Sequence, residues 1–136
     1  AERPGDDSPA ALMALGDEHK AKGETDAAID SYNKALSNRP NFVDCRLNLA
    51  DAYLSKGDLL AATDEVEYVL ERDPENPDAL YWAGQIAIAK GETKKASSYL
   101  QGAVSLRPVN DHSRMVPYET VISSLAQVRR AMDGTV

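Results

Sequence analysis

The apolar and small positions of this chain return at a fixed interval. Ala28, Tyr32, Ala35 and Leu36 are answered 34 residues later by Ala62, Val66, Val69 and Leu70, and again by Ala96, Leu100, Ala103 and Val104. Within each set the spacing i, i+4, i+7, i+8 draws one apolar stripe along a helix. Gly16, Ala50 and Gly84 form a small-residue column of the same period, where paired helices can approach closely. Lys22-Gly23-Glu24, Lys56-Gly57-Asp58 and Lys90-Gly91-Glu92 punctuate the units, and Pro40, Pro74 and Pro108 close them. With the first Gly and Pro given, ordinary usage makes the other four coincidences a chance of about 10⁻⁵. An interval of this length marks an array of helical repeats.

Each unit reads as two helices. Pro9, Val43 and Pro77 open the first helices, where a proline costs no intrahelical bond. Gly23, Gly57 and Gly91 end them in the left-handed conformation that glycine adopts freely. Glu24, Asp58 and Glu92 then stand at the positive end of the second helix. The pattern predicts helices at 9–22, 25–38, 43–56, 59–72, 77–90 and 93–106. After 110 the repeat pattern fails, because Arg114 and Tyr118 fall where a large apolar and a small residue belong. Val121, Leu125, Val128 and Met132 instead form one stripe of a seventh helix at 116–133, with Pro117 in its first turn and Gly134 at its stop. Ser123, Ser124, Gln127, Arg129 and Arg130 are expected to face water. A terminal repeat needs such a closing helix with a polar outer side. The expected layout is a flexible tail at 1–8, repeats at 9–42, 43–76 and 77–110, and a linker and capping helix at 111–136.

These positions resemble the tetratricopeptide repeat, whose pattern is a large residue, x₂-Leu-Gly-x₂-Tyr, then Ala-x₃-Phe and a closing Pro. Repeat one gives Leu12-x₂-Leu15-Gly16-x₂-His19, Ala28-x₃-Tyr32 and Pro40. Repeat two gives Arg46-x₂-Leu49-Ala50-x₂-Tyr53, Ala62-x₃-Val66 and Pro74. Repeat three gives Leu80-x₂-Ala83-Gly84-x₂-Ala87, Ala96-x₃-Leu100 and Pro108. The resemblance implies an all-α, right-handed α-solenoid of three helix-turn-helix repeats with a C-terminal solvating helix. It also implies that first helices line an inner surface where partner proteins lie. The matching positions are Ala10, Met13, Ala14, Asp17 and Lys20 in repeat one. They are Asp44, Leu47, Asn48, Asp51 and Leu54 in repeat two, and Asp78, Tyr81, Trp82, Gln85 and Ile88 in repeat three. An exposed row of Met, Leu, Tyr, Trp and Ile invites a cover, and Trp and Tyr are favoured anchors. Asp17 with Asp51, and Asp44 with Asp78, are expected to form negative strips along that surface.

Members of the family that grip C-terminal carboxylates of heat-shock proteins use Lys and Asn on the first inner helix, Asn on the second, and Lys and Arg on the third. The corresponding residues here are Met13, Asp17, Asn48, Asp78 and Trp82. Only Asn48 is kept, so a heat-shock carboxylate clamp is not expected.

Composition narrows the partner. The chain has 136 residues, 43% of them hydrophobic and 27% charged, with a formal charge of −7. The acid excess lies wholly in residues 1–110, since 111–136 carry three residues of each sign. That charge disfavours nucleic acid, whose binding is driven by basic residues at phosphates. It favours a protein or peptide that is apolar with basic residues nearby. The longest apolar run, Ala10 to Leu15, is far short of the roughly 20 residues a membrane helix needs, so no membrane insertion is expected. No charged-then-apolar signal segment opens the chain. It begins at Ala1, either a mature N-terminus compatible with a bacterial envelope or a cut in a longer chain. A single cysteine, Cys45, allows no internal disulfide and slightly favours a reducing, cytoplasmic compartment.

Catalytic chemistry finds no constellation. His19 falls in a packing column with Tyr53 and Ala87, and His112 in the loop before the last helix. Two His and one Cys make no metal cluster, so neither a metal nor any other cofactor is expected. Cys45, near a helix start, reads as a small packing residue rather than a stabilised thiolate. Ser31-x-x-Lys34 matches a hydrolase spacing without its companion motifs. The expected function is therefore a non-enzymatic scaffold or adaptor. The alternatives are a self-association module, an accessory domain of a larger enzyme, or a part of a secretion or envelope-assembly system.

Overall fold

A computed structural model describes residues 7–106 and 116–134. Among the described residues there are seven α-helices and no strand: α1 Pro9–Ala21, α2 Thr25–Asn38, α3 Val43–Lys56, α4 Leu59–Arg72, α5 Pro77–Ala89, α6 Thr93–Ser105 and α7 Tyr118–Met132. The sequence-based bounds match these to within two residues. Pro117 is the extended N-cap of α7 at φ −60°, ψ 142°, not a residue of its first turn as expected. Pro108, His112 and residues 1–6 of the expected tail at 1–8 lie outside the described residues.

The ends of the helices follow from single residues. Ser8 closes the expected tail by capping α1, its Oγ accepting from Ala11 N at 3.2 Å, with Pro9 following it. Asn76 does the same for α5, accepting from Ala79 N at 3.0 Å ahead of Pro77. The three Gly turns are one structure made three times. Gly23, Gly57 and Gly91 take φ of 79°, 86° and 77°. The next residue then donates back to the helix it has left: Glu24 N to His19 O, Asp58 N to Tyr53 O and Glu92 N to Ala87 O, each at 2.9 Å. Together with the glycine N–H bonds these satisfy carbonyls that a helix end leaves open.

The chain divides into two compact units, residues 1–65 and 66–136. In the first, α1 packs on α2 and α2 on α3. Its core joins Leu12, Ala28, Ile29, Tyr32, Ala35, Leu36, Phe42, Cys45, Leu49 and Ala52. The small column explains itself here: a Cβ on Gly16 would come within 2.5 Å of the Tyr32 ring. Arg46, which stands where the repeat pattern has a large apolar residue, reaches Glu65 at 2.9 Å, with both side chains largely buried, and its Nε donates to Pro40 O. Its stem fills the column while its charge is matched, as a buried charge requires.

In the second unit α5 packs on α6 and α6 on α7. Leu100 lies over Gly84, whose hypothetical Cβ would sit 2.8 Å from it. Val121, Leu125 and Val128 of the expected stripe are buried with Tyr81, Leu100 and Ala103. Met132 is not; it is 47% exposed at the end of the helix, where none of the described residues covers it. Ser124, expected in water, accepts a hydrogen bond from Gln85 Nε2 at 3.0 Å.

Candidate functional site

The two units present their first helices separately. In the first unit, Met13, Asp17 and Lys20 follow one another at helical spacing on α1, as do Asp44, Asn48, Asp51 and Leu54 on α3. Asp17 is the centre of a small network. Its Oδ1 accepts from Tyr32 OH at 2.5 Å and from Asn48 Nδ2 at 3.1 Å. Tyr32 has no exposed surface. Burial, and after it the hydrogen bond to Asp17, drive its phenol far above the usual tyrosine range, so it stays a donor. Lys20 is ion-paired with Asp51. Asp17, Lys20, Ala21 and Asn48 border an open depression of about 340 Å³.

These contacts revise the expected negative strips. Asp51 is matched by Lys20 from the neighbouring repeat, which leaves Asp17 as the carboxylate of the depression and Asp44 as an exposed outlier. Leu47 is 1% exposed and offers a ligand nothing. Its aliphatic chain gains about 1.5–3 kcal/mol by leaving water, and the fold provides the cover. Met13 and Leu54 keep part of their surface, Met13 while packing against the core.

The second unit keeps less of its expected surface. Asp78 is 8% exposed because it accepts the backbone N–H of Val116 at 3.1 Å, which fixes the approach to α7. Tyr81, also 8% exposed, meets Trp82 edge to face at 5.0 Å and belongs to the core that α7 completes. Trp82 is half-buried, and its buried Nε1 has no hydrogen-bond partner among the described residues. Gln85 is engaged by Ser124, and Ile88 is exposed. Asp78, Tyr81 and Gln85 thus receive the closing helix.

Other chemistry stays dispersed. Cys45 is fully buried, its Sγ 3.5 Å from Tyr32 O, and burial pushes its thiol up to about 12. His19 Nδ1 lies 2.9 Å from Glu24 Oε1 in an exposed pair that holds the Glu24 carboxyl below its usual range. Ser31 is buried and Lys34 exposed, so the two do not share a site. Among the described residues no three His, Cys, Asp or Glu side chains gather as a metal would need, and no helix is long and apolar enough to cross a membrane. Sequence reasoning missed Tyr32 as a partner of Asp17. The signal was a tyrosine where the repeat has phenylalanine, since a buried hydroxyl needs a partner.

A family model described as TPR repeat matches residues 16–57, and one described as Tetratricopeptide repeat matches residues 47–111. The chain belongs to the tetratricopeptide-repeat family. A search of curated protein sequences finds no match. Among solved structures, the Sgt2 TPR domain from Aspergillus fumigatus is similar over 98% of this chain and 82% of that one, at 22% identity and a TM-score of 0.79. The first TPR of Spaghetti (RPAP3), bound to the HSP90 peptide SRMEEVD, is similar over 93% and 94%, at 19% identity and a TM-score of 0.77. The MamA protein is similar at 27% identity and a TM-score of 0.70, over 94% of this chain and 65% of that one. The fold is an all-α helical-repeat solenoid.

Proposed function

We propose that the chain is a non-catalytic protein-interaction module that holds a peptide or helix of another protein against the α1 and α3 face of its first unit. The observation that supports it is the open depression at Asp17, Lys20, Ala21 and Asn48. Met13, one turn before Asp17, and Leu54, one turn after Asp51, add partly exposed apolar side chains on the same helix faces. A face of this composition suits a segment whose apolar side chains meet Met13 and Leu54 and whose basic residues meet the acids.

The ligand does not end in a free carboxylate gripped by this face. Asp17 replaces a neutral clamp residue, Met13 replaces a basic one, and Lys20 is already engaged by Asp51. The peptide SRMEEVD, which RPAP3 binds in the similar structure, is therefore the discriminating probe. Titration calorimetry of the full chain with SRMEEVD is expected to give no binding tighter than about 1 mM, the level of −4.1 kcal/mol. Micromolar affinity would reverse this part of the reading. For the module itself, peptides selected from a random display library on the immobilised chain are expected to lose binding to Met13→Glu. Selected peptides that bind wild type and Met13→Glu equally would place the interaction on another surface.

A further inference from the structure

We infer that the depression at Asp17 receives a cationic side chain, lysine or arginine, of the bound segment. This deepens the proposed function and rests on its choice of the α1 and α3 face. The four residues that border the depression bring one carboxylate, one amide, one ammonium and one methyl group. Their hydrogen bonds decide what remains on offer. Asp17 Oδ1 is saturated by Tyr32 and Asn48, whereas Asp17 Oδ2 has no partner among the described residues. Asn48 spends one N–H on Asp17, and its side-chain carbonyl oxygen has no partner among the described residues. The one cation, Lys20, is committed to Asp51. The open oxygens of Asp17 and Asn48 are both acceptors, alongside the second N–H of the Asn48 amide, and an anion entering here would meet a carboxylate with no cation to balance it.

An ammonium brings three donors and a guanidinium five, with no acceptor to clash. Hydrogen bonds from such groups to a carboxylate are shorter and about twice as strong as neutral ones. The acceptor is also held ready. Tyr32 is buried and always a donor, so with Asn48 it fixes the Asp17 rotamer before a ligand arrives. Little side-chain freedom is then lost on binding.

The test uses capped heptapeptides of leucine and alanine with a central lysine, arginine, norleucine or glutamate, titrated into the ¹⁵N-labelled full chain. Lysine or arginine peptides are expected to shift the Asp17, Lys20, Ala21 and Asn48 signals saturably, with norleucine and glutamate peptides at least about tenfold weaker. Comparing the lysine and arginine arms tells the ammonium from the guanidinium. Asp17→Asn keeps Oδ1 for Tyr32 and Asn48 while removing the charge, so it is expected to abolish that tenfold preference with an unchanged circular dichroism spectrum. If the norleucine peptide shifts the same signals with equal affinity, the cation receptor falls and the binding face stands. If the shifts lie elsewhere, both fall. If no peptide moves these signals, the receptor falls, and the library selection against Met13→Glu decides the face on its own.

Discussion

Removing residues 116–136 is expected to leave a chain that either precipitates or melts at least about 10 °C lower, by an amount set by what α7 buries. Val116, Val121, Leu125 and Val128 are each 3–6% exposed. Full burial of one such side chain is worth about 1.5–3 kcal/mol, and the four together about 6–12 kcal/mol as an upper bound. Whole domains are stable by about 5–15 kcal/mol, so the loss is of the size of the total. The truncation would also uncover Leu100 and Ala103, now fully buried, and would remove the Val116 N–H from Asp78 and Ser124 from Gln85. Calorimetric melting and light scattering measure both outcomes. A soluble truncated chain with the wild-type melting temperature would mean that α7 contributes nothing to the second unit.

Tyr32→Ala should be nearly as damaging to the first unit. The ring is fully buried, lies against the backbone of α1 at Gly16, and donates from its hydroxyl to Asp17. Deleting a buried aromatic side chain costs about 3–5 kcal/mol, including the cavity it leaves. For a unit of this size that corresponds to a melting temperature lower by at least about 12 °C. Tyr32→Phe keeps the packing and loses one hydrogen bond, worth about 0.5–1.5 kcal/mol. The ordering wild type, then Phe, then Ala, with the larger gap between Phe and Ala, is the expected result of thermal melts followed by circular dichroism. Equal losses in both variants would shift the weight from ring packing to the Asp17 network.

The helices were legible because glycine and proline mark their ends physically. Gly23, Gly57 and Gly91 sit at positive φ, and the chain had no cheaper residue for those turns. The apolar stripe of α7 was legible from its helical spacing, except at Met132, where periodicity says nothing about where the neighbouring helix stops. The binding face was read less well. Leu47 and Tyr81, 34 residues apart, share a column that both copies bury and that was taken for open surface, whereas Asp78 is buried while its counterpart Asp44 is exposed. Asp78 is covered because Val116 N–H reaches it from 38 residues away, and no spacing rule encodes that. Lys20 and Asp51 were both placed on the inner surface, yet their mutual pairing depends on a side-chain geometry that charge counts do not contain.

The lone thiol sits in the core of the first unit, beneath Tyr32, and is held protonated by its surroundings. Iodoacetamide reacts with thiolates that it can touch, so in the folded chain it has no target. Each alkylation of Cys45 then records one opening of that unit. The natural sequence carries its own clock for local unfolding, and the free energy of those excursions can be read by mass spectrometry without introducing a label.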